Sequence, residues 1–305
     1  MTAAATGAML VALLPAPPVQ AVVGGRQTPV GQFPWTVSVI HRSTGTHECT
    51  GALISPTWVL TAGHCTLAYD PVFSVRTGSW DDSSGGQVIE VVAVHANPSF
   101  NPPPTDAPFL ADDVALMQLA SPSSAPTIAL ARPDQAAAWA PGTVAAFSGF
   151  GDECGPPELV YGGVSCAGIV QTAMHDAALP VIDNATCAAD YPTETVYPDL
   201  QLCTLHSGVV TPCHGDSGGP LVATTPEGPV IVGVISGGRD PCGSPNSPSV
   251  FARVTAFLDW IHAVSGVSPP PAPPPSTTTT STSSTTYATA ATRPTPAVAT
   301  PTFTG

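Results

Sequence analysis

The chain has 305 residues, with 21 Asp and Glu, seven Arg and no Lys, for a formal net charge of −14. Only 9% of it is charged, against roughly 25% in an ordinary soluble domain. The acid excess and the lack of basic runs exclude binding to nucleic acid or to an anionic membrane face, and no apolar run reaches the roughly 18–20 residues of a spanning helix.

In chain order, Ala8 to Leu14 forms a short apolar core ended by Pro15, Pro17 and Pro18, and Val19-Gln20-Ala21 offers small residues for cleavage. Residues 1–21 therefore read as an export signal, irregular in having no basic residue ahead of the apolar stretch; a disordered leader is the alternative. Short Val/Ile runs follow, broken by Gly, Pro, Asp and Ser: Thr36–Ile40, Trp58–Leu60, Val88–Val94 and Val230–Ile235. Many short strands at close spacing predict an all-β sandwich or barrel. Val254, Phe257, Leu258 and Ile261 recur at helical spacing and predict one terminal helix. From Gly266 to Gly305 there is no acid, one Arg and an excess of Pro, Thr and Ser. Such a segment lacks the apolar surface to offset its ordering entropy, so it is expected to be a disordered tail. Its composition is that of O-glycosylated stalks and resembles secreted proteins of high-GC bacteria. The folded body is thus expected to be residues 22–265.

The chemistry concentrates in Cys213-His214-Gly215-Asp216-Ser217-Gly218-Gly219-Pro220. A serine flanked by glycines can sit on a sharp turn, hydroxyl exposed, with backbone N–H groups converging on a developing oxyanion. G-x-S-x-G also fits the nucleophile elbow of α/β-hydrolases. That fold needs its acid and histidine after the serine, and here only His262 follows, inside the predicted helix. Upstream, Leu60-Thr61-Ala62-Gly63-His64-Cys65 and Asp113-Val114-Ala115-Leu116 supply the other parts.

With these segments, in the order His64, Asp113, Ser217, residues 22–265 resemble a serine endopeptidase of the chymotrypsin/trypsin family. The resemblance implies two six-stranded antiparallel β-barrels with a C-terminal α-helix. It also implies Ser217 as nucleophile, His64 as general base and acid, and Asp113 as the acid behind it. Asp112 reads as a solvated neighbour. The N–H groups of Gly215 and Ser217 would form the oxyanion hole. Val22-Val23-Gly24-Gly25 resembles the family's mature start, whose freed ammonium pairs with the acid before the nucleophile, here Asp216. Ala21 stands where most family zymogens carry Lys or Arg, so cleavage of the export signal is expected to make the active N-terminus directly.

Eight cysteines in an exported chain imply four disulfides, for which 105 pairings exist in principle. The family resemblance selects Cys49–Cys65, Cys187–Cys203 and Cys213–Cys242, leaving Cys154 and Cys166 for a local bridge. A further family bridge is missing at both ends, at Ala145 and Ala223. By the same correspondence Thr211 lies at the floor of the primary pocket, beside Pro212, with His214 at its lip. Ser236, Gly237 and Gly238 form one wall and Ser249 the other. Thr211 replaces the aspartate of trypsin-like members, so a small to medium apolar side chain is expected rather than Lys or Arg. Gly237 replaces a usual tryptophan, and Arg239 offers an alternative recruitment of an acidic residue.

No cofactor is implied, and no metal, since the other histidines (His41, His47, His95, His175, His206 and His262) have no zinc spacing. They read as surface or ordinary packed residues. Asp81, Asp82 and Glu90 mark a loop that binds calcium in some relatives, but surface acids are commoner than sites. Asn184-Ala185-Thr186 matches a glycosylation sequon. The function expected is a secreted, monomeric serine endopeptidase acting on proteins or peptides. An inactive relative serving as a binding or adhesion module is the other class, and the intact triad residues speak against it. All 21 acids and six of the seven Arg fall in residues 22–265, giving that body −15, a field that attracts basic substrates at long range.

Overall fold

The computed structural model describes residues 22–67, 72–100, 110–151, 172–204, 210–239, 242–244 and 246–274. The chain divides into two units, Met1–Pro270 and Pro271–Gly305. The described residues of the second unit, 271–274, carry no regular structure, so the elements below belong to the first.

The first barrel is built from β2 (Thr36–His41), β3 (Thr46–Ser55), β4 (Trp58–Thr61), β5 (Phe73–Thr77), β6 (Gln87–Ala96) and β7 (Ala115–Leu119), following the short β1 (Arg26–Gln27). Its strands close in the order β2-β3-β4-β7-β6-β5. The alternation expected of a half-buried strand is plain in β6, where Ile89 and Val91 are buried while Val88 and Val92 are exposed. The second barrel uses β9 (Val144–Gly149), β10 (His175–Ile182), β11 (Gln201–Thr204), β12 (Pro220–Thr225), β13 (Gly228–Gly237) and β14 (Ser249–Arg253). Its order is β10-β11-β14-β13-β12-β9, closed by the pairing of β9 with β10. β1 joins β10, and β8 (Ala129–Leu130) joins β13. All four runs read as strands from the sequence lie in strands.

Val37, Leu53, Leu60, Phe73 and Leu116 fill the first barrel's core, which continues onto Ile231, Val234 and the C-terminal helix. Phe147, Leu179, Leu221, Val232 and Phe251 fill the second. The last regular elements among the described residues are a 3₁₀ turn, Val254–Ala256, and α2 (Leu258–Ser265). Val254, Phe257 and Ile261 are their buried face, and Gly266 ends α2 in the left-handed conformation with φ 73°. One helix was not foreseen, α1 (Asn184–Asp190), whose N-terminus is capped by the Asp183 side chain accepting from the Thr186 N–H. No helix among the described residues is long and apolar enough to cross a membrane.

Candidate active site

Antiparallel pairing brings the first two site residues together. β4 pairs with β7 so that Thr61 lies opposite Ala115. The chain leaving β4 therefore carries His64, in a short 3₁₀ turn, past the chain entering β7, which carries Asp113. His64 Nδ1 and Asp113 Oδ2 are 2.7 Å apart, and the His64 backbone N–H donates to Asp113 Oδ1, also at 2.7 Å. Asp113 is fully buried, whereas the His64 side chain is 24% exposed. Burial lowers the affinity of His64 for a proton, but the hydrogen bond to Asp113 and its charge outweigh this, so the imidazole pKa lies above the ordinary 6.5.

Ser217 arrives from the second barrel, in the turn ahead of β12. Its carbonyl accepts from the Thr50 N–H of β3 at 2.8 Å, which ties the turn to the first barrel. Gly218, at φ +83°, admits no side chain: a Cβ there would lie 2.1 Å from Thr61 Oγ1 and 2.3 Å from the Thr50 carbonyl. Ser217 and His64 line one cleft of about 390 Å³, with Thr211, Pro212, His214, Ser236, Gly237 and Gly238.

Thr211 is 5% exposed, and its hydroxyl lies 3.0 Å from Ser249 Oγ. Ser249, expected as a pocket wall, is buried, with its hydroxyl in contact with that of Thr211. Ser236 lines the cleft and has a second contact, its Oγ–H donating to Asp113 Oδ2 at 2.6 Å. No sequence pattern announced this bond, because it joins β13 to a loop of the other barrel.

Val22 and Val23 are buried. Val23 bridges to Thr211, whose N–H donates to the Val23 carbonyl at 3.0 Å. Asp216 is fully buried and accepts from the Gly151 N–H and the Cys213 N–H, both at 2.9 Å. Close by in the chain, the Arg26 side chain bonds Asp176 at 2.9 Å.

His47 is not the ordinary packed residue expected from the sequence. Its Nε2 lies 3.0 Å from the Gly215 carbonyl and its Nδ1 2.8 Å from Ser38 Oγ. A carbonyl only accepts, so Nε2 carries the proton and Nδ1 accepts from the serine. Burial drives the His47 pKa down to about 4, against the smaller opposing effect of the Gly215 bond, which keeps that tautomer near neutral pH. Thr50 Oγ1 donates to the same carbonyl at 3.0 Å. Both acceptor positions of the Gly215 carbonyl are thereby used, and one of the two peptide planes flanking this φ +87° glycine is pinned.

The disulfides Cys49–Cys65, Cys187–Cys203 and Cys213–Cys242 are formed. Cys154, Cys166 and His206 lie outside the described residues. Histidine meets cysteine in two places, Cys49/His64/Cys65 and Cys213/His214/Cys242, but each sulfur there is in a disulfide and offers no thiolate. Asp81, Asp82 and Glu90 do not converge as ligands. Asp81 accepts from Ser83, Ser84 and Thr172, and Glu90 pairs with Arg42. The Arg76 guanidinium donates to the carbonyls of Asp82, Ser83 and Gly85, so a side-chain cation already fills that loop. The amide of Asn184, in the sequon, donates to the Gln201 carbonyl at 3.2 Å.

Residues 22–261 match the family model described as Trypsin. The chain belongs to the trypsin family. Trypsin 5G1 of Aedes aegypti is 32% identical over 247 residues, covering 81% of this chain and 85% of that protein. Glandular kallikrein of Sus scrofa is 31% identical over 257 residues, covering 81% and 97%. Among solved structures, neuropsin, a serine protease expressed in the limbic system of mouse brain, superposes with a TM-score of 0.65 at 25% identity. That match covers 79% of this chain and 98% of neuropsin. These relatives are animal proteins, so the likeness to secreted bacterial members drawn from the tail is not supported. This trypsin-family chain is a serine endopeptidase, a hydrolase on a chymotrypsin-like fold.

Proposed function

We propose that this endopeptidase hydrolyses peptide bonds through Ser217, His64 and Asp113 and acts outside the cell. The observation that carries the reading is the bond from His64 Nδ1 to a fully buried Asp113, in the cleft that His64 shares with Ser217. A serine hydroxyl is a weak nucleophile near neutral pH and needs an aligned base. The Nδ1–H bond to Asp113 leaves the Nε2 lone pair for Ser217. Ser217 Oγ adds to the scissile carbonyl as its proton passes to His64 Nε2, and the imidazolium is held by the Asp113 carboxylate. The oxyanion is met by the N–H groups of Gly215 and Ser217. His64 then gives its proton to the leaving amine, and the acyl-enzyme forms. Water repeats the sequence in reverse, with His64 as base, and regenerates Ser217.

Val22 is read as the mature N-terminus, its ammonium offering an opposite charge to the fully buried Asp216 carboxylate, since a buried charge is costly to desolvate. Thr211 gives the pocket a hydroxyl floor and no carboxylate, favouring small to medium apolar side chains over Lys or Arg. Three disulfides suit an oxidising compartment.

The deciding experiment is labelling by a serine-directed phosphonylating reagent. Wild-type protein is expected to be labelled and Ser217→Ala not; an unlabelled protein beginning at Val22 overturns the reading. Sequencing the N-terminus of active enzyme checks maturation, and a start upstream of Val22 refutes that part. A cleavage profile dominated by Lys or Arg refutes the role given to Thr211.

A further inference from the structure

Among its described residues the cleft carries one fixed charge that the reaction does not use. Among the described residues lining it, Arg239 alone has a permanently charged side chain, and none is a carboxylate. Of the other described arginines, Arg26, Arg42 and Arg132 pair with Asp176, Glu90 and Asp134, while Arg76 and Arg253 each bind two or more backbone carbonyls and do not line the cleft. Arg239 is in no ion pair among the described residues. In a chain with 21 acids and seven arginines, a cleft cation with no carboxylate partner among the described residues is against the composition.

Its placement is also rigid. The guanidinium lies over the Tyr191 ring, 4.9 Å from the centroid, and its Nη2 donates to the Asp190 carbonyl at 3.0 Å. Its backbone N–H donates to Ser247 Oγ at 3.2 Å. Tyr191 is itself only 1% exposed, and its hydroxyl donates to the Pro248 carbonyl. The next residue, Ser249, holds the pocket floor through Thr211. Cation shelf and pocket floor thus share one framework.

Stacking occupies a face of the guanidinium, while its five N–H groups point outward in the plane. Capping the end of α1 through Asp190 uses one of them. A half-buried, pre-oriented fork of this kind matches a carboxylate in two-pronged geometry.

We propose that Arg239 is a specificity-determining residue that recruits an acidic side chain of the peptide substrate, outside the primary pocket floored by Thr211. The inference rests on the proposed peptide-hydrolysing cleft and names part of its substrate class. It also separates two fields: the body's negative charge acts at long range, whereas Arg239 acts at contact.

The test uses matched fluorogenic peptides, otherwise uncharged, that differ only by Glu or Gln at one of the four positions on either side of the scissile bond. At one position, wild-type enzyme in low salt is expected to cleave the Glu peptide about ten-fold more efficiently, the lower end for a charge-assisted bond at a half-exposed site. The ratio is read within each protein, so a general loss of activity cancels. It is expected to fall to about one in Arg239→Gln, to invert in Arg239→Glu, and to shrink in wild type as salt rises. Equal cleavage of Glu and Gln peptides at every position, or a ratio that persists in Arg239→Gln, overturns the inference and leaves Arg239 a helix cap. The salt series needs no variant and stands if the variants fail to fold. Binding of the same peptides to Ser217→Ala, read by fluorescence anisotropy, separates the two claims. A Glu preference there without wild-type turnover sinks the catalytic reading alone; equal binding sinks the role of Arg239 alone.

Discussion

Replacing Asp113 by Asn removes a charge and changes a hydrogen-bonding pattern while keeping the shape. Asp113 accepts from the His64 backbone N–H on Oδ1, and from His64 Nδ1–H and Ser236 Oγ–H on Oδ2. An asparagine offers one acceptor oxygen and one donor amine. With the oxygen at the Oδ2 position, the amine faces the backbone N–H, a donor that cannot turn away. With the oxygen at the Oδ1 position, the amine faces the ring and the serine, which can adapt by tautomer and rotation. The second arrangement is therefore expected, and it places the imidazole proton on Nε2, the atom that must receive the proton of Ser217. The expected loss in kcat is about 10⁴-fold, or about 5.5 kcal/mol of barrier at ~1.36 kcal/mol per factor of ten. A second signature follows from the charge. In wild type, Asp113 holds the His64 pKa above 6.5 against burial; in the variant burial acts without that charge, so the pKa falls below 6.5. A pH–rate profile of kcat/KM on one fluorogenic peptide reads both effects, since the rising limb marks the deprotonation of His64. Activity within ten-fold of wild type, with the limb unmoved, would refute this reasoning.

The two site histidines carry opposite pH linkage. The raised His64 pKa contributes stability present below about 6.5 and lost as pH rises through the folded value. His47, lowered to about 4, contributes stability present above 6.5 and lost as pH falls toward 4, on the order of 3 kcal/mol. His47→Phe is expected to be less stable near pH 7, having lost its bonds to Ser38 and Gly215, but flatter between pH 6.5 and 4; urea titrations at several pH values check it. Gly149→Ala is expected to cost about 3 kcal/mol, because its Cβ would lie 2.0 Å from Asp216 Oδ1. Among the described residues Gly238→Ala meets only the Pro248 carbonyl at 3.9 Å; its stability should move by less than about 0.5 kcal/mol, while kcat/KM falls for bulky side chains at the cleft entrance. Equal melting temperatures for these two variants would refute the contrast. The register of β9 and β12 sets Leu221 opposite Phe147 and Val222 opposite Ala146, and one further step along it would set Ala223 opposite Ala145. The pair Ala145→Cys and Ala223→Cys is expected to oxidise spontaneously and add up to about 4 kcal/mol for a loop of about 80 residues; free thiols in the purified variant would count against it.

What the sequence determined by itself is local or ordered along the chain. Strand periodicity in Val88–Val94, the glycines around Ser217 and the order His64, Asp113, Ser217 are properties of neighbours and spacing, so they survive without coordinates. The family resemblance then supplied the two barrels and the disulfide pairs, which no periodicity specifies. α1 escaped because seven residues carry too little amphipathic pattern, although Asp183 three residues ahead of Thr186 was a legible cap. Only the tertiary structure could bring Ser236 onto Asp113, or His47 and Thr50 onto the Gly215 carbonyl, since each bond joins the two barrels. The same holds for the contact of Ser249 with Thr211 and for Arg239, whose stacking on Tyr191 needs two distant loops. Short-range patterning specifies which elements form and which residue types are available; the closure of two barrels against each other decides which of those residues meet.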